Sequence, residues 1–347
     1  MAEASTYRIG ADDLRAFVSR QFRAVDTPDD IAEHTARIVV NADVAGYASH
    51  GVLRIPDYLR QIEGGGLDTS ARPEITHEAP GAAAVDARHG WGHYAAYWSM
   101  DLAIRKAKEN GMAGVSLDKC NHMGRLGEYA EQAAAAGCIG IVTAGMGGHR
   151  VGGAAPYGGT VRALGTNPIA IGAPTGDDAP FVADFATTTT SEGKLRVARA
   201  AGAQLAPNQI VDRHGNPSST PEDYFDGGSL LLAGGHKGYA LSLATCLLGA
   251  LTGAYDPAKK RLEGVFLMAI DIRAFRDTDA YATNARSFLD GIADNPPAPG
   301  VDKVLTPGEM QKRRRDESTA KGIDLPMAVW QRLCDGAEKV GATLPGE

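Results

Sequence analysis

The run Gly114-Val115-Ser116-Leu117 leads directly into Lys119-Cys120-Asn121-His122-Met123-Gly124-Arg125-Leu126-Gly127, and a helical pattern over 126–136 leaves it. An apolar strand, a polar turn and a helix in that order commit this part of the chain to an α/β arrangement, and the edge where such strands end is where ligands bind. The turn carries an imidazole, an amide, a guanidinium and the first N–H groups of a helix, a set suited to anions. Taken alone, a loop histidine bonded to backbone accounts for His122 as well. Two further clusters change the balance: Ser49-His50-Gly51-Val52-Leu53-Arg54 and Gly234-Gly235-His236-Lys237-Gly238.

The 347 residues suffice for two domains and a large core. With 44% apolar and 22% charged residues the chain reads as ordinary globular protein. The net charge of −7 and the lack of a basic stripe argue against nucleic acid; Lys312-Arg313-Arg314-Arg315 precedes Asp316-Glu317 and reads as a solvated helix face. No apolar run reaches the ~18 residues of a membrane span, and Met1-Ala2-Glu3-Ala4-Ser5 is not a secretory signal. The four cysteines, Cys120, Cys138, Cys246 and Cys334, form no CxxC pair, so the expectation is reduced thiols in a cytoplasmic protein. Cys120, beside His122, reads either as a packed thiol or as a reactive one.

In chain order, Thr27-Pro28-Asp29-Asp30 predicts a helix start with Thr27 as N-cap, and Ile31, Thr35, Ile38, Val39 and Ala42 recur at helical spacing. Ser49-His50-Gly51 follows near the end of that helix, and a resumed helix toward Ile55 would set Arg54 on the face of His50. A strand over 82–86, then Gly90-Trp91-Gly92-His93-Tyr94-Ala95 opening a helix, then a strand over 112–117 ending at Asp118, has the form of a dinucleotide fingerprint. Three residues, Ala87-Arg88-His89, separate strand from glycine, and the acid falls late, so the match is poor. Strands are expected at 139–142, 169–171, 181–184 and 264–271, helices over 237–254 and 278–294 and around Val329, Leu333 and Ala337. Asp212-Arg213-His214-Gly215-Asn216-Pro217 reads as an exposed turn, and Pro296-Pro297-Ala298-Pro299 as an extended linker.

Together with Gly165-Thr166-Asn167-Pro168, Gly235-His236-Lys237-Gly238-Tyr239 and Pro307-Gly308-Glu309, these clusters resemble the malate/L-lactate dehydrogenase family that lacks a Rossmann fold. Gly124-Arg125-Leu126-Gly127 with Ala130-Glu131-Gln132 is most similar to its hydroxycarboxylate dehydrogenase B branch. The resemblance implies an α/β (α+β) fold: a mixed, largely antiparallel, non-Rossmann cofactor-binding sheet flanked by helices. Residues 76–274 would form the nucleotide-binding and catalytic domain, and 1–75 a helical domain packed with C-terminal helices of 275–347. It implies metal-free, NAD- or NADP-dependent interconversion of 2-oxo and 2-hydroxy acids, NAD slightly favoured, in a homodimer with the site near the subunit interface. The cofactor would touch His50, Gly124, Arg125, Leu126, Ala183, Asp184, Phe185, Ala186, Thr187, His236, Lys237, Pro307, Gly308, Glu309 and Met310. Many relatives carry a Thr–Asn pair after the strand that here reads Ile141-Val142-Thr143-Ala144-Gly145-Met146, at residues that border the substrate.

The chemistry of the residues agrees. An imidazole whose pKa lies near working pH can protonate a nascent alkoxide and take the proton back, which makes His122 the first candidate, with His50 the alternative. Arg54 offers a planar fork for a substrate carboxylate, with Ser49 beside it. Asn121 could orient His122 or the carbonyl. Two other classes stay open: a metal-dependent hydrolase drawing on the nine histidines, which no HxH or HExxH spacing supports, and a dinucleotide-binding sensor without turnover.

Overall fold

Residues 5–177, 179–258 and 260–345 are described by a computed structural model; Met1 to Ala4 of the N-terminal stretch read above lie outside them. Met112–Asp118 is a strand, and on one side of it runs Ala82–Asp86 in parallel, joined by the helix Gly92–Asn110. This is the βαβ unit that the glycine pattern suggested. Every other pairing in the large sheet is antiparallel. Its main path runs Glu74–Ala79, Ala82–Asp86, Met112–Asp118, Arg261–Asp271, Cys138–Gly147, Ile169–Ala173, Phe181–Phe185. The sheet is therefore mixed and largely antiparallel, and not a Rossmann sheet.

Alternation along Arg261–Asp271 sorts its side chains. Val265, Leu267 and Ala269 join Val115, Leu117 and the inward faces of helices Gly92–Asn110 and Gly127–Ala135 in one core. Phe266 and Met268 point to the opposite face, which the helix His236–Gly249 covers only in part. Each large side chain so buried contributes roughly 1.5–3 kcal/mol.

A second core ties the two ends of the chain. Thr6–Ile9 pairs antiparallel with Ile323–Pro326, Tyr7 stacks on Trp330 at 3.8 Å, and helices Ala11–Arg23, Asp29–Val44, Ile55–Glu63 and Met327–Val340 supply Leu14, Phe17, Ile31, Val39, Ile55 and Leu333. Trp91 enters this core from the start of the helix Gly92–Asn110, with Tyr94 packed against it.

Local expectations differ from the fold at two points. Thr27 is not an N-cap: Pro28 holds that position, and the Thr27 hydroxyl accepts the indole N–H of Trp91 at 3.1 Å. The helix expected over 237–254 ends at Gly249, because Gly249 and Gly264 of the neighbouring strand lie backbone against backbone, and only a 3₁₀ turn continues it. The hairpin between Ile210–Val211 and Pro217–Ser218 carries the Asp212 turn, its carboxylate accepting from the N–H groups of His214 and Asn216 at 2.8 and 2.9 Å. Among the described residues, no helix is long and apolar enough to cross a membrane.

Candidate active site

The helix Asp29–Val44 ends just before two 3₁₀ turns, Ala48–His50 and Val52–Arg54, and Ile55–Glu63 continues from them. Gly51 joins the turns because the Asp43 carboxylate lies flush against its Cα, where any side chain would collide. The same carboxylate accepts the N–H of Val52 at 2.7 Å. Asp43 thus braces the segment that presents His50 and Arg54. Burial pushes its pKa up to about 7, against the pull of the Val52 N–H.

On the facing turn, His122 lies beneath His50 with the two rings stacked, centroids 5.7 Å apart and planes 16° from parallel. Ser49 Oγ is 3.0 Å from His50 Nδ1, so the Ser49 hydroxyl is engaged in orienting His50. Arg54 Nε donates to the Ser49 carbonyl at 3.0 Å and one Nη to Asp57 at 3.4 Å, while no partner is found for Nη2 among the described residues. Burial holds His50 down at about 4, with help from the charges of Arg54 and Arg125. Burial likewise holds His122 well below the ordinary histidine value, assisted by His93, Arg54 and His50. Both shifts favour the neutral rings.

Asn121 does not orient His122. Its amide nitrogen donates to the carbonyls of His89 at 2.7 Å, Gly90 at 3.1 Å and Gly66 at 3.2 Å, and its oxygen accepts from Gln61 at 2.6 Å. The side chain ties three loops together. The partner of His122 is one that sequence reasoning missed: Tyr58 Oη, 2.7 Å from Nδ1 and also 3.3 Å from His93 Nε2. Cys120 is a packed thiol. Its Sγ donates to the Asn121 carbonyl at 3.2 Å, and burial pushes its pKa up to about 12.

The glycine fingerprint is used for packing. Gly92 lies against the backbone of Asn121 and His122, Trp91 and His93 are fully buried, and Gly124, at φ +74°, brings its backbone against the His93 ring. No space remains there for a pyrophosphate. Nor is the start of Gly127–Ala135 an open anion site, since Asp184 accepts the Gly127 N–H at 2.8 Å.

The expected cofactor residues meet in sequence along one border. Asp184 reaches Gly127 and lies beside Arg125; the Val182 N–H donates to the Pro307 carbonyl at 3.3 Å; Gly308, at φ +109°, sits on the Pro180 carbonyl. The Thr187 carbonyl accepts from Ala233 at 2.9 Å, and Gly238 packs against it, so His236 and Lys237 stand exposed next to 183–187. Phe185 and Met310 are exposed, whereas Leu126 is buried in the core. Glu309 turns back on its own helix start, accepting from Thr306 N at 3.2 Å and Thr306 Oγ1 at 2.8 Å. Ala183 and Ala186 are half-buried.

Arg125 is almost fully enclosed. It donates to Glu131 at 2.8 Å and covers the Tyr47 ring at 5.2 Å, yet its Nε and Nη1 have no partner among the described residues. Burial works against its charge, but Glu131, Glu128 and Asp184 outweigh it and keep the guanidinium charged.

A cavity of about 420 Å³ opens at the same turn, between residues 118–121, 144–146, 165–168 and 261–265. In its wall Gly145 is pressed on the backbone of Thr245, and Met146 N–H donates to Asn167 Oδ1 at 2.9 Å.

Residues 9–334 match the family described as malate/L-lactate dehydrogenase. Hydroxycarboxylate dehydrogenase B of Escherichia coli O157:H7 is 33% identical over 349 aligned positions, covering 97% of this chain and 95% of that protein. Malate/(S)-sulfolactate dehydrogenase of Methanothermus fervidus is 32% identical over 346 positions, covering 97% and 99%. Among solved structures, malate dehydrogenase from Entamoeba histolytica has a TM-score of 0.92 at 25% identity over 98% of this chain and 100% of that one. Malate dehydrogenase from Pyrococcus horikoshii has a TM-score of 0.87 at 32% identity over 99% of each. With the fold, the order of its motifs and these likenesses in agreement, this chain belongs to the malate/L-lactate dehydrogenase family and is a dehydrogenase.

Proposed function

We propose that the protein interconverts a 2-oxo acid and the corresponding 2-hydroxy acid with a pyridine nucleotide, NAD ahead of NADP. His122 serves as general acid and base and Arg54 as the clamp on the substrate carboxylate. The observation that carries this reading is the meeting of two stacked imidazoles with a guanidinium whose Nη2 is unengaged among the described residues. Anion, carbonyl oxygen and proton donor can be served there together.

The border of 124–126, 183–187, 236–237 and 307–310 suits a dinucleotide. Arg125 has two unpaired buried nitrogens, Lys237 is an exposed ammonium, and Phe185 offers an exposed ring. Arg125, Lys237, His236 and Phe185 would hold the cofactor. Bound there, it supplies or accepts the hydride.

Arg54 fixes the carboxylate and with it the position of the 2-oxo group. The bound carboxylate also cancels the Arg54 charge that helps to hold His122 neutral, so substrate binding raises the pKa of its own acid. Nε2 of His122, without a partner among the described residues, then gives its proton to the alkoxide oxygen or takes it from the alcohol. His50, held by Ser49, keeps His122 in place by stacking. A homodimer is supported by the apolar stripe Leu243, Leu247 and Leu251, exposed immediately beyond Lys237.

The test is a panel of 2-oxo acids with NADH and NADPH in parallel, repeated on Arg54→Lys. The variant keeps the charge and loses the fork, and we expect it to lose about 2–3 kcal/mol in kcat/KM. Wild-type kcat/KM in the variant for every acid removes Arg54 from the role. Failure of the wild type to turn over any of them with either nucleotide removes the reaction.

A further inference from the structure

A general acid must hold its proton until the alkoxide forms, and an imidazolium does so when its second N–H has an acceptor. The groups facing His122 are Tyr58 from the helix Ile55–Glu63, Arg54 and His50 from the 3₁₀ turns, and His93 from the helix Gly92–Asn110. On its own turn, Cys120 and Asn121 are bonded elsewhere. The charges acting on His122 are those of His93, Arg54 and His50, which disfavour the imidazolium. The acceptor available to Nδ1–H is the Tyr58 oxygen at 2.7 Å. A phenol oxygen can accept that hydrogen only if its own hydrogen turns away to another acceptor, and His93 Nε2 lies 3.3 Å from it. The other nitrogen of His93, Nδ1, is buried with no partner among the described residues, so the tautomer of His93 is set from the Tyr58 side.

We infer that Tyr58 and His93 are positioning residues for His122: the Tyr58 hydroxyl donates to His93 Nε2 and accepts from His122 Nδ1–H in both protonation states, which fixes the tautomer that leaves Nε2 to carry the reacting proton. No proton leaves His122 by this route. The arm holds Nδ1–H throughout, its hydrogen bond strengthening when the imidazole is charged, and the proton of the reaction passes at Nε2. The geometry leaves little slack. Tyr58 is 3% exposed, and its ring meets that of His93 edge-on at 5.3 Å. Gly124 closes the far side, where a Cβ would stand 3.0 Å from His93 Cδ2.

The inference rests on the reading of His122 as the acid, and the experiment separates the two. The pH dependence of kcat for 2-oxo acid reduction is measured with NADH for wild type, Tyr58→Phe, His93→Gln, His93→Leu and His122→Gln, with thermal melts alongside. Reduction needs the charged imidazole, so its rate falls as pH rises through the pKa of His122 in the substrate complex. Loss of the Tyr58 oxygen strips the imidazolium of its acceptor. The falling limb of Tyr58→Phe should then move to lower pH by about one unit, with kcat at neutral pH down about tenfold. His93→Gln, whose amide oxygen still accepts, should keep the limb near that of wild type, and His93→Leu should shift it in the same direction as Tyr58→Phe. A Tyr58→Phe limb at the wild-type pH, whatever its kcat, overturns the inference. Should that variant fail to fold, identical limbs in His93→Gln and His93→Leu overturn it as well. If His122→Gln retains the limb, the acid assignment itself fails; if it loses the limb while Tyr58→Phe stays unshifted, only the positioning role of Tyr58 fails.

Discussion

Asp43 is the residue whose environment says most about how the site is held. Its carboxylate is buried beneath Gly51 with the Val52 N–H at 2.7 Å, and its pKa is raised from 3.8 to about 7. The raised value means that the folded chain binds a proton that the unfolded chain releases between those pH values. The associated stability is fully present below about pH 3.8 and is lost as pH rises through about 7, by up to about 1.4 kcal/mol per unit. Asp43→Asn keeps an acceptor for Val52 and has no proton to lose. Urea melts at pH 5, 6, 7 and 8 should show the wild-type stability falling relative to Asp43→Asn across this window, so that the variant gains on it by pH 8. A constant difference between the two proteins would mean that Asp43 titrates as an ordinary carboxylate. The reading of Ser49-His50-Gly51 and Arg54 from sequence was possible because a histidine, a glycine and an arginine crowd one short stretch. Tyr58 and His93 were not legible as site residues: one sits in an ordinary amphipathic turn and the other in a glycine pattern that pointed to phosphate. Only the crossing of their helices brings them to His122.

At the scale of elements, the strand Met112–Asp118 and the helices on either side of it were legible, since apolar runs and turn residues bound them clearly. The order of strands was not. Arg261–Asp271 enters between Met112–Asp118 and Cys138–Gly147 from far along the chain, and such long-range pairing leaves no local periodicity to read. The βαβ unit is real, and its glycines meet a different demand from the one that the fingerprint suggests. Gly92 starts a helix directly under the carbonyls of Asn121 and His122. The structure therefore changes the expected outcome of Gly92→Ala. Were the glycine a phosphate contact, the methyl group would weaken nucleotide affinity; were it idle, nothing would change. Here the methyl must push the turn off the helix and carry His122 with it. Activity should fall about 10²-fold, the scale of an ångström misplacement, while the Kd for NADH by fluorescence titration stays within about threefold of wild type. Loss of NADH affinity with unchanged kcat would return the nucleotide to this helix.

For the whole molecule, the helix His236–Gly249 poses the last question. A helix apolar on all sides belongs in an interior, yet Leu243, Leu247 and the following Leu251 are 38%, 65% and 59% exposed on one side of it. Between them Ala240 and Ala244 are also exposed, so the stripe is flat enough for a second helix to approach closely. Next to it lies an apolar groove formed by Ala84, Gly114, Phe266 and Met268 of the sheet face that this helix leaves uncovered. A stripe and groove of this kind on one surface suit a second copy of the same chain, in which each stripe enters the other's groove about a two-fold axis. Because Lys237 opens the same helix, association through this face would fix the residue proposed to hold the cofactor. Leu247→Glu should then run as a monomer in analytical ultracentrifugation at micromolar concentration, with a higher KM for NADH. The charge stands in solvent on the isolated subunit, so its far-UV circular dichroism should match wild type. If wild type is itself a monomer, or if Leu247→Glu sediments as wild type does, the stripe serves another purpose.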